Sequence, residues 1–354
     1  MTSPPDLPDL PGLPAAAVDA WLRETLPDIV GDRPWTAELI SGGLSNITYR
    51  LRTAGGGLVL RRPPLTGALP SAHDMGREFR VLTALRGGPV PVPETLAQCT
   101  GTDVIGAPFY VMREAPGVVL RTPEGTAALT PTQREAIGEL LIDTLAALHG
   151  IDPGEVGLSD FGRPEGYLAR QLRRWGEQWR RSRTRSLPDV DTLLGRLADR
   201  LPPEGRSAIV HGDFRLDNTL VDVTGPVPAI TAVLDWELST LGDPLADLGL
   251  ALVYWHDPGD DERSTIPVAA GLTAHPGFPT AARLAERYAK RTGAELGALP
   301  YYTAFGCLKL AIILEGVHAR YLSGRTVGEG YAGVDAAVPL LAARGLRELS
   351  RRAN

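Results

Sequence analysis

Apolar positions in this chain fall into two regimes. Between residues 30 and 115 they come in short runs: residues 37–40, 46–52 and 58–61, parted by glycine turns at Gly42-Gly43 and Gly55-Gly56-Gly57. Short apolar or alternating runs bounded by such turns predict strands. Pro63-Pro64 stops the third run, because proline brings no N–H to a ladder. Met75, Phe79, Leu82 and Leu85 then share one face of a helix expected over residues 72–85, which Gly87-Gly88-Pro89 ends. Residues 109–112 read as a further strand, with a break at Ala115-Pro116-Gly117. The stretch therefore predicts a small, mostly antiparallel sheet with one helix. Ahead of it, Val18, Trp21, Leu22 and Leu26 predict a helix over residues 15–26, stopped at Pro27.

After residue 116 the spacing turns helical. Thr130-Pro131-Thr132-Gln133 has the form of a capping box with proline at the first helical position. The helix behind it carries Ile137, Leu140, Leu141, Leu145 and Leu148 and ends at Gly150. Residues 167–179 repeat the pattern with Leu168, Leu172, Trp175 and Trp179, and helical spacing returns from Ala281, notably over 301–321 and 334–349. Two short strands are expected between, at 208–210 and 230–234. The domain division that follows is an N-terminal extension with a helix over 1–29, a small sheet-based domain over 30–115 and a larger helical domain over 116–354.

Composition narrows the classes. The 354 residues are 43% hydrophobic and 22% charged, enough apolar material for a sizeable core. Formal charge is −6, and neither half is basic: 10 basic residues stand against 12 acidic up to residue 115, and 26 against 30 beyond it. That balance argues against nucleic acid as a partner. Cys99 and Cys307 are far apart with no CxxC spacing, and the histidines form no HExxH pattern, so neither a disulfide framework nor a zinc enzyme is expected. The first residues carry no basic-then-apolar leader, and no run of 18 apolar residues occurs. A cytoplasmic protein with no membrane partner is the expectation. Only Lys290 and Lys309 are lysines, the other 34 basic residues being arginine.

The densest chemical signal is Val210-His-Gly-Asp-Phe-Arg-Leu-Asp-Asn218. A short apolar strand delivers His211, Gly212 and Asp213 into a loop, and Asn218 follows Asp213 by five residues. A second apolar strand ends at Asp235, in Ala232-Val-Leu-Asp-Trp-Glu237. Phosphoryl transfer asks for this set: one carboxylate to orient and deprotonate a hydroxyl, and an amide with a second carboxylate to hold Mg²⁺ on the phosphates. Asp and Asn also favour turns for purely conformational reasons, but three such residues at this spacing are a more specific pattern than any one of them.

The string resembles the catalytic and metal loops of the aminoglycoside phosphotransferase family, whose fold is that of the protein kinases. The Asp-to-Asn spacing equals that of the kinase catalytic loop. With Ala232 to Leu248 added, it is more similar still to the branch that includes kinase-like domains fused to some acyl-CoA dehydrogenases. The likeness covers roughly residues 30–340. It implies an α+β, protein-kinase-like two-lobed fold, with a small antiparallel-sheet N-lobe and a larger helical C-lobe.

The resemblance also implies roles. Asp213 is the catalytic base, and Asn218 and Asp235 are metal ligands. His211 packs and hydrogen-bonds the loop. Asp247 braces that loop through its backbone amides, and Asp243 caps a helix that starts at Pro244. Ser45, in the Gly-Gly turn, caps the β-phosphate. A cation at the end of the third strand grips the α- and β-phosphates. The usual lysine is replaced, since both candidates in Val59-Leu-Arg-Arg62 are arginine. Strand residues alternate faces, so Arg61 and Arg62 point oppositely, and Arg61 is chosen, paired with Glu78. Arginine can supply the charge, with a forked head in place of a point charge. Met112 lies against the base of the nucleotide, with the backbone of Arg113 and Ala115 at its edge. Glu237 stays open as a metal or substrate contact.

The activity implied is transfer of the γ-phosphate of ATP, with GTP as the open alternative, to a hydroxyl of a small molecule, with Mg²⁺. Two other readings stand beside it. One is a nucleotide-binding pseudokinase scaffold, suggested by the missing lysine. The other is a protein kinase, disfavoured because Asp235 is followed at once by Trp-Glu-Leu-Ser-Thr and not by a segment ending Ala-Pro-Glu.

Overall fold

The computed structural model describes residues 10–40, 46–65, 74–324 and 333–351. These divide into two compact units: a smaller one reaching to Gly117 and including Thr231–Ser239, and a larger one of Val118–Ile230 and the chain from Thr240 onward.

The smaller unit opens with helices α1 (Ala15–Thr25) and α2 (Pro27–Val30). Pro27 ends the first, as expected, and also starts the second, taking the position where a missing N–H costs nothing. Strands β1 (Thr36–Leu39), β2 (Ile47–Thr53) and β3 (Gly56–Arg62) precede helix α3 (Met75–Leu85), and β4 (Thr95–Cys99) and β5 (Phe109–Arg113) follow it. The five strands form one sheet in the order β1-β2-β3-β5-β4, with every pair antiparallel. Alternation sorts the residues. Tyr49, Leu51, Leu58, Leu60, Phe109 and Val111 enter one buried cluster with Val18 and Leu22 of α1 and with Trp35. The helix ahead of the sheet is thus part of the unit's core. Arg62 is buried as well, donating through Nη1 to Gly12 O at 2.5 Å and to Ile105 O at 3.3 Å.

In the larger unit α4 (Pro123–Ala127) precedes α5 (Pro131–Gly150). The α5 start is the expected capping box, Thr130 accepting from Gln133 N–H while the Gln133 side chain accepts from Thr130 N–H. Then come α6 (Tyr167–Ser182), α7 (Pro188–Asp199), β6 (Ala208–Val210) and β7 (Thr219–Asp222). Strand β8 (Ala229–Val233) carries the chain into the smaller unit, and β9 (Thr240–Gly242) begins its return. Helices α8 (Pro244–Tyr254), α9 (Asp261–Ser264), α10 (Ala281–Thr292), α11 (Leu299–Leu322) and α12 (Ala337–Ser350) complete it.

Helix α11 is long and apolar enough by composition to cross a membrane, but 72% of its apolar window is buried inside the protein. Its residues Ala304, Phe305, Leu308, Ala311 and Ile312 join Trp175, Trp179, Leu193, Leu250 and Leu341 in one cluster. Contact with α8 is close: a Cβ added at Gly249 would lie 2.5 Å from the Tyr302 carbonyl carbon, so glycine is what permits that approach.

Candidate active site

In the larger unit the site grows from β6. Its three residues are fully buried and pair with β9, Ala208 opposite Gly242 and Val210 opposite Thr240. The chain leaves β6 through His211 and Gly212, and Gly212 takes φ +86°, where a side chain would be strained. From β9 the chain enters α8, capped by Asp243 Oδ1 accepting from Leu245 N–H at 3.0 Å, with Pro244 at the first position. Asp247, one turn in, accepts from His211 N–H at 2.5 Å and from Gly212 N–H at 2.8 Å. Behind it, His149 Nε2 lies 3.4 Å from Asp247 Oδ2, and His149 Nδ1 meets the Tyr288 hydroxyl at 2.7 Å. Burial pushes the Asp247 carboxyl up, but its hydrogen bonds with His149 and the Gly212 amide outweigh that and hold it below the ordinary value. His211 is fully buried, and its Nδ1 accepts from Asp213 N–H at 3.2 Å.

Asp213 follows this brace. Its Oδ1 accepts from the Tyr254 hydroxyl at 2.7 Å, and its Oδ2 from Asn218 Nδ2 at 3.1 Å. Arg215 Nε stands 3.4 Å from Oδ2, and its guanidinium lies 5.0 Å from the Tyr254 ring centroid. Burial would raise the Asp213 pKa, yet the charges of Arg215 and Lys309 and the Tyr254 hydroxyl hold it below the usual carboxylate value. Asn218 Nδ2 also donates to Asp213 O at 2.9 Å. The amide nitrogen is thus spent on the loop, leaving the amide oxygen as the atom suited to a hard cation.

In the smaller unit the two arginines part as alternation requires. Arg61, opposite Tyr110 in β5, turns away from Arg62 toward α3, where its Nε meets Glu78 Oε2 at 3.0 Å and its Nη2 pairs with Asp235. Burial would lower the Arg61 pKa, but Glu78 and Asp235 together raise it above the ordinary value. Glu78 is 2% exposed. Burial pushes its carboxyl up, against the charge of Arg61 and the Trp236 amide, and the Tyr110 hydroxyl also bonds to it. Asp74 caps α3 by accepting from Arg77 N–H at 3.0 Å, and Arg77 Nη2 reaches Ser239 O at 3.2 Å. Asp235 itself has φ +67°, a left-handed backbone that Asp tolerates better than bulky residues. Glu237 accepts from Asn46 Nδ2 at 2.9 Å.

Met112 is 8% exposed and sits across from Val59 in the β3–β5 pair. Arg113 N–H is used within the sheet, donating to Glu94 O at 2.8 Å. A base at this edge would therefore meet the Arg113 carbonyl. Ala115 is half-buried two residues on. Ser45 lies outside the described residues. The expected residues thus fall into two groups: Asp213 with Asn218 in the larger unit, and Arg61 with Glu78 and Asp235 in the smaller. Among the described residues no cluster of three or more His, Cys, Asp or Glu could by itself hold a metal ion. The oxygen donors of Asn218 and Asp235 have the chemistry that Mg²⁺ takes.

Three residues of the larger unit were not expected from sequence: Tyr254 and Lys309, which hold Asp213 and Gly212, and Arg263. Arg263 is fully buried and donates to the carbonyls of Val253, Tyr254, Ile266 and Val268, which ties the end of α8 to the segment after it. Lys309 had a faint signal, a lone lysine inside an apolar helical run of an arginine-rich chain. Tyr254 had none.

Comparison with known proteins places this arrangement. The model of the phosphotransferase enzyme family, APH, matches residues 36–296. Acyl-CoA dehydrogenase family member 10 of Mus musculus is 38% identical over 293 residues, which is 80% of this chain but only 26% of that protein. A solved Ralstonia eutropha JMP134 protein, provisionally described as an aminoglycoside phosphotransferase, superposes with a TM-score of 0.79 at 34% identity, covering 95% of this chain and 98% of the other. The ternary complex of a thermostable mutant of aminoglycoside phosphotransferase APH(4)-Ia with AMP-PNP and hygromycin B gives 0.62 at 18% identity, covering 94% and 99%, a likeness of fold alone. The fold is the expected α+β, protein-kinase-like one. With most of its length matched by that family model, the chain belongs to the phosphotransferase enzyme family, the aminoglycoside phosphotransferase-like branch of the kinase fold.

Proposed function

We propose that this chain transfers the γ-phosphate of a nucleoside triphosphate, ATP first and GTP as the alternative, to a hydroxyl of a small molecule. The observation that carries the reading is the Asp213 carboxylate, held on Oδ1 by Tyr254 and on Oδ2 by Asn218 within a buried loop. The AMP-PNP and hygromycin B bound together by the APH(4)-Ia mutant support a nucleotide donor and a small-molecule acceptor. Asp213 aligns the acceptor hydroxyl and takes its proton as the oxygen bonds to the γ-phosphorus. The bond from that phosphorus to the bridging oxygen breaks, and the nucleoside diphosphate leaves. Arg61, set by Glu78, binds the α- and β-phosphates, and Met112 with the Arg113 carbonyl and Ala115 receives the base. Asn218 and Asp235 would hold Mg²⁺, which when bound neutralises charge on the phosphates. Most of the rate then comes from placement and electrostatics. The test is a screen of hydroxyl compounds for acceptor-dependent release of nucleoside diphosphate, with ATP and GTP and with Mg²⁺ present or chelated. Mg²⁺-dependent release with a small alcohol is expected. Nucleotide binding with no hydrolysis and no transfer to any acceptor would point to a scaffold, and labelled phosphate on protein alone would point to a protein kinase.

A further inference from the structure

Helix α11 buries a lysine against the catalytic loop. Its neighbours Leu308, Leu310, Ala311 and Ile312 are apolar and buried, and Lys309 is itself only 8% exposed. Removing an ammonium from water is costly unless it is well paired, so mere filling would favour another apolar residue here. The Lys309 Nζ donates to the Gly212 carbonyl and stands 5.6 Å from the centroid of the Trp175 ring. The charged groups that act on it are Asp213 and Asp247, which attract it, and Arg174, which repels it. Trp175 lines a small cavity with Tyr167, Gln171, Gly212, Phe305 and Lys309. Its buried indole N–H has no hydrogen-bond partner among the described residues.

Gly212 is therefore gripped at both ends. Its N–H donates to Asp247 at 2.8 Å, and its carbonyl accepts from Lys309. Glycine has the least conformational preference of any residue, and Gly212, at φ +86°, directly precedes Asp213. A free glycine there would let the Asp213 side chain swing.

We propose that Lys309 is a positioning residue, fixing the direction of the Asp213 carboxylate by clamping the Gly212 carbonyl opposite Asp247. As a statement about turnover this rests on the phosphotransfer reading above. The clamp itself does not.

A double-mutant cycle on the full chain tests it, with Mg²⁺-ATP and water as acceptor. Lys309→Met is expected to lower turnover about tenfold at unchanged KM for ATP, and to cost nothing further in an Asp213→Asn background, because the two act as one unit. An equal loss in both backgrounds, or none in either, overturns the proposal. Amide exchange provides the second arm. Lys309→Met should speed exchange of the Gly212 amide about tenfold while α5 amides keep their rates, as expected for a local opening. Unchanged Gly212 exchange overturns the clamp. Should Asp213→Asn keep full turnover, or the unmodified chain show neither hydrolysis nor transfer to any acceptor, the phosphotransfer reading has failed and the exchange arm alone decides. Lys309→Leu, which also removes the donor, goes through the same comparison if Lys309→Met does not fold.

Discussion

The Tyr254 hydroxyl donates to Asp213 Oδ1 at 2.7 Å from the last residue of α8, 41 residues further along the chain. The same helix carries Asp247 in its first turn, which holds the amides ahead of Asp213. One helix thus fixes the loop at one end and the carboxylate at the other. Tyr254→Phe keeps the ring that packs against Arg215 and removes only the hydroxyl. Turnover is expected to fall about tenfold or more, the worth of a hydrogen bond to a charged group, with nucleotide affinity unchanged. Steady-state kinetics beside a nucleotide-binding titration checks this, and unchanged turnover would show that the hydroxyl does not hold the base.

Glu78→Gln removes a carboxylate from the buried Arg61. The arginine keeps Asp235 as a partner, so the expected loss is roughly 2 kcal/mol, below that for stranding a buried charge outright. ATP affinity should weaken with it, because Arg61 would turn toward its remaining carboxylate. Denaturant unfolding and the dissociation constant for ATP measure the two effects. A variant equal to the parent in both would remove the Arg61–Glu78 pair from the account.

Arg263→Met leaves four carbonyls without their donor, two at the end of α8 and two in the segment after it. Each buried unsatisfied group costs about 1–3 kcal/mol, so the loss should be among the largest of any single substitution in the larger unit. Thermal unfolding reads it directly. A melting temperature within a degree of the parent would mean that other donors replace the guanidinium.

The depressed Asp247 carboxyl carries a pH signature. Because its folded pKa lies below the ordinary carboxylate value of about 4, its contribution is fully present above that value and is lost as pH falls through the folded pKa. Asp247→Asn should therefore be less stable than the parent at pH 7, with the gap narrowing below about pH 4. Melting temperatures from pH 7 to pH 3 test it. A gap that stays constant over the range would show that the charge contributes nothing.

Much of this was legible because the informative residues are local. His211, Gly212, Asp213 and Asn218 sit within one loop, and the alternation of β3 alone separates Arg61 from Arg62. Asp243-Pro244 marked the start of α8, and Thr130 to Gln133 the start of α5. Strand β4 was not expected. It is short, holds the polar Gln98, and has an irregular register with β5 between Thr95 and Ala97, so it has no clean period of two. Helix α7 was also outside the expectation, although Val190, Leu193 and Leu197 keep helical spacing and are buried. Tyr254 and Lys309 reach the loop only through tertiary packing, and no window of sequence around either one points to Asp213.

The most direct measurement is acceptor-dependent release of nucleoside diphosphate by Asp213→Asn beside the parent chain, with nucleotide binding measured on both. The account predicts that binding survives and that turnover falls about a hundredfold or more, as for loss of a general base. Full turnover by the variant would contradict it.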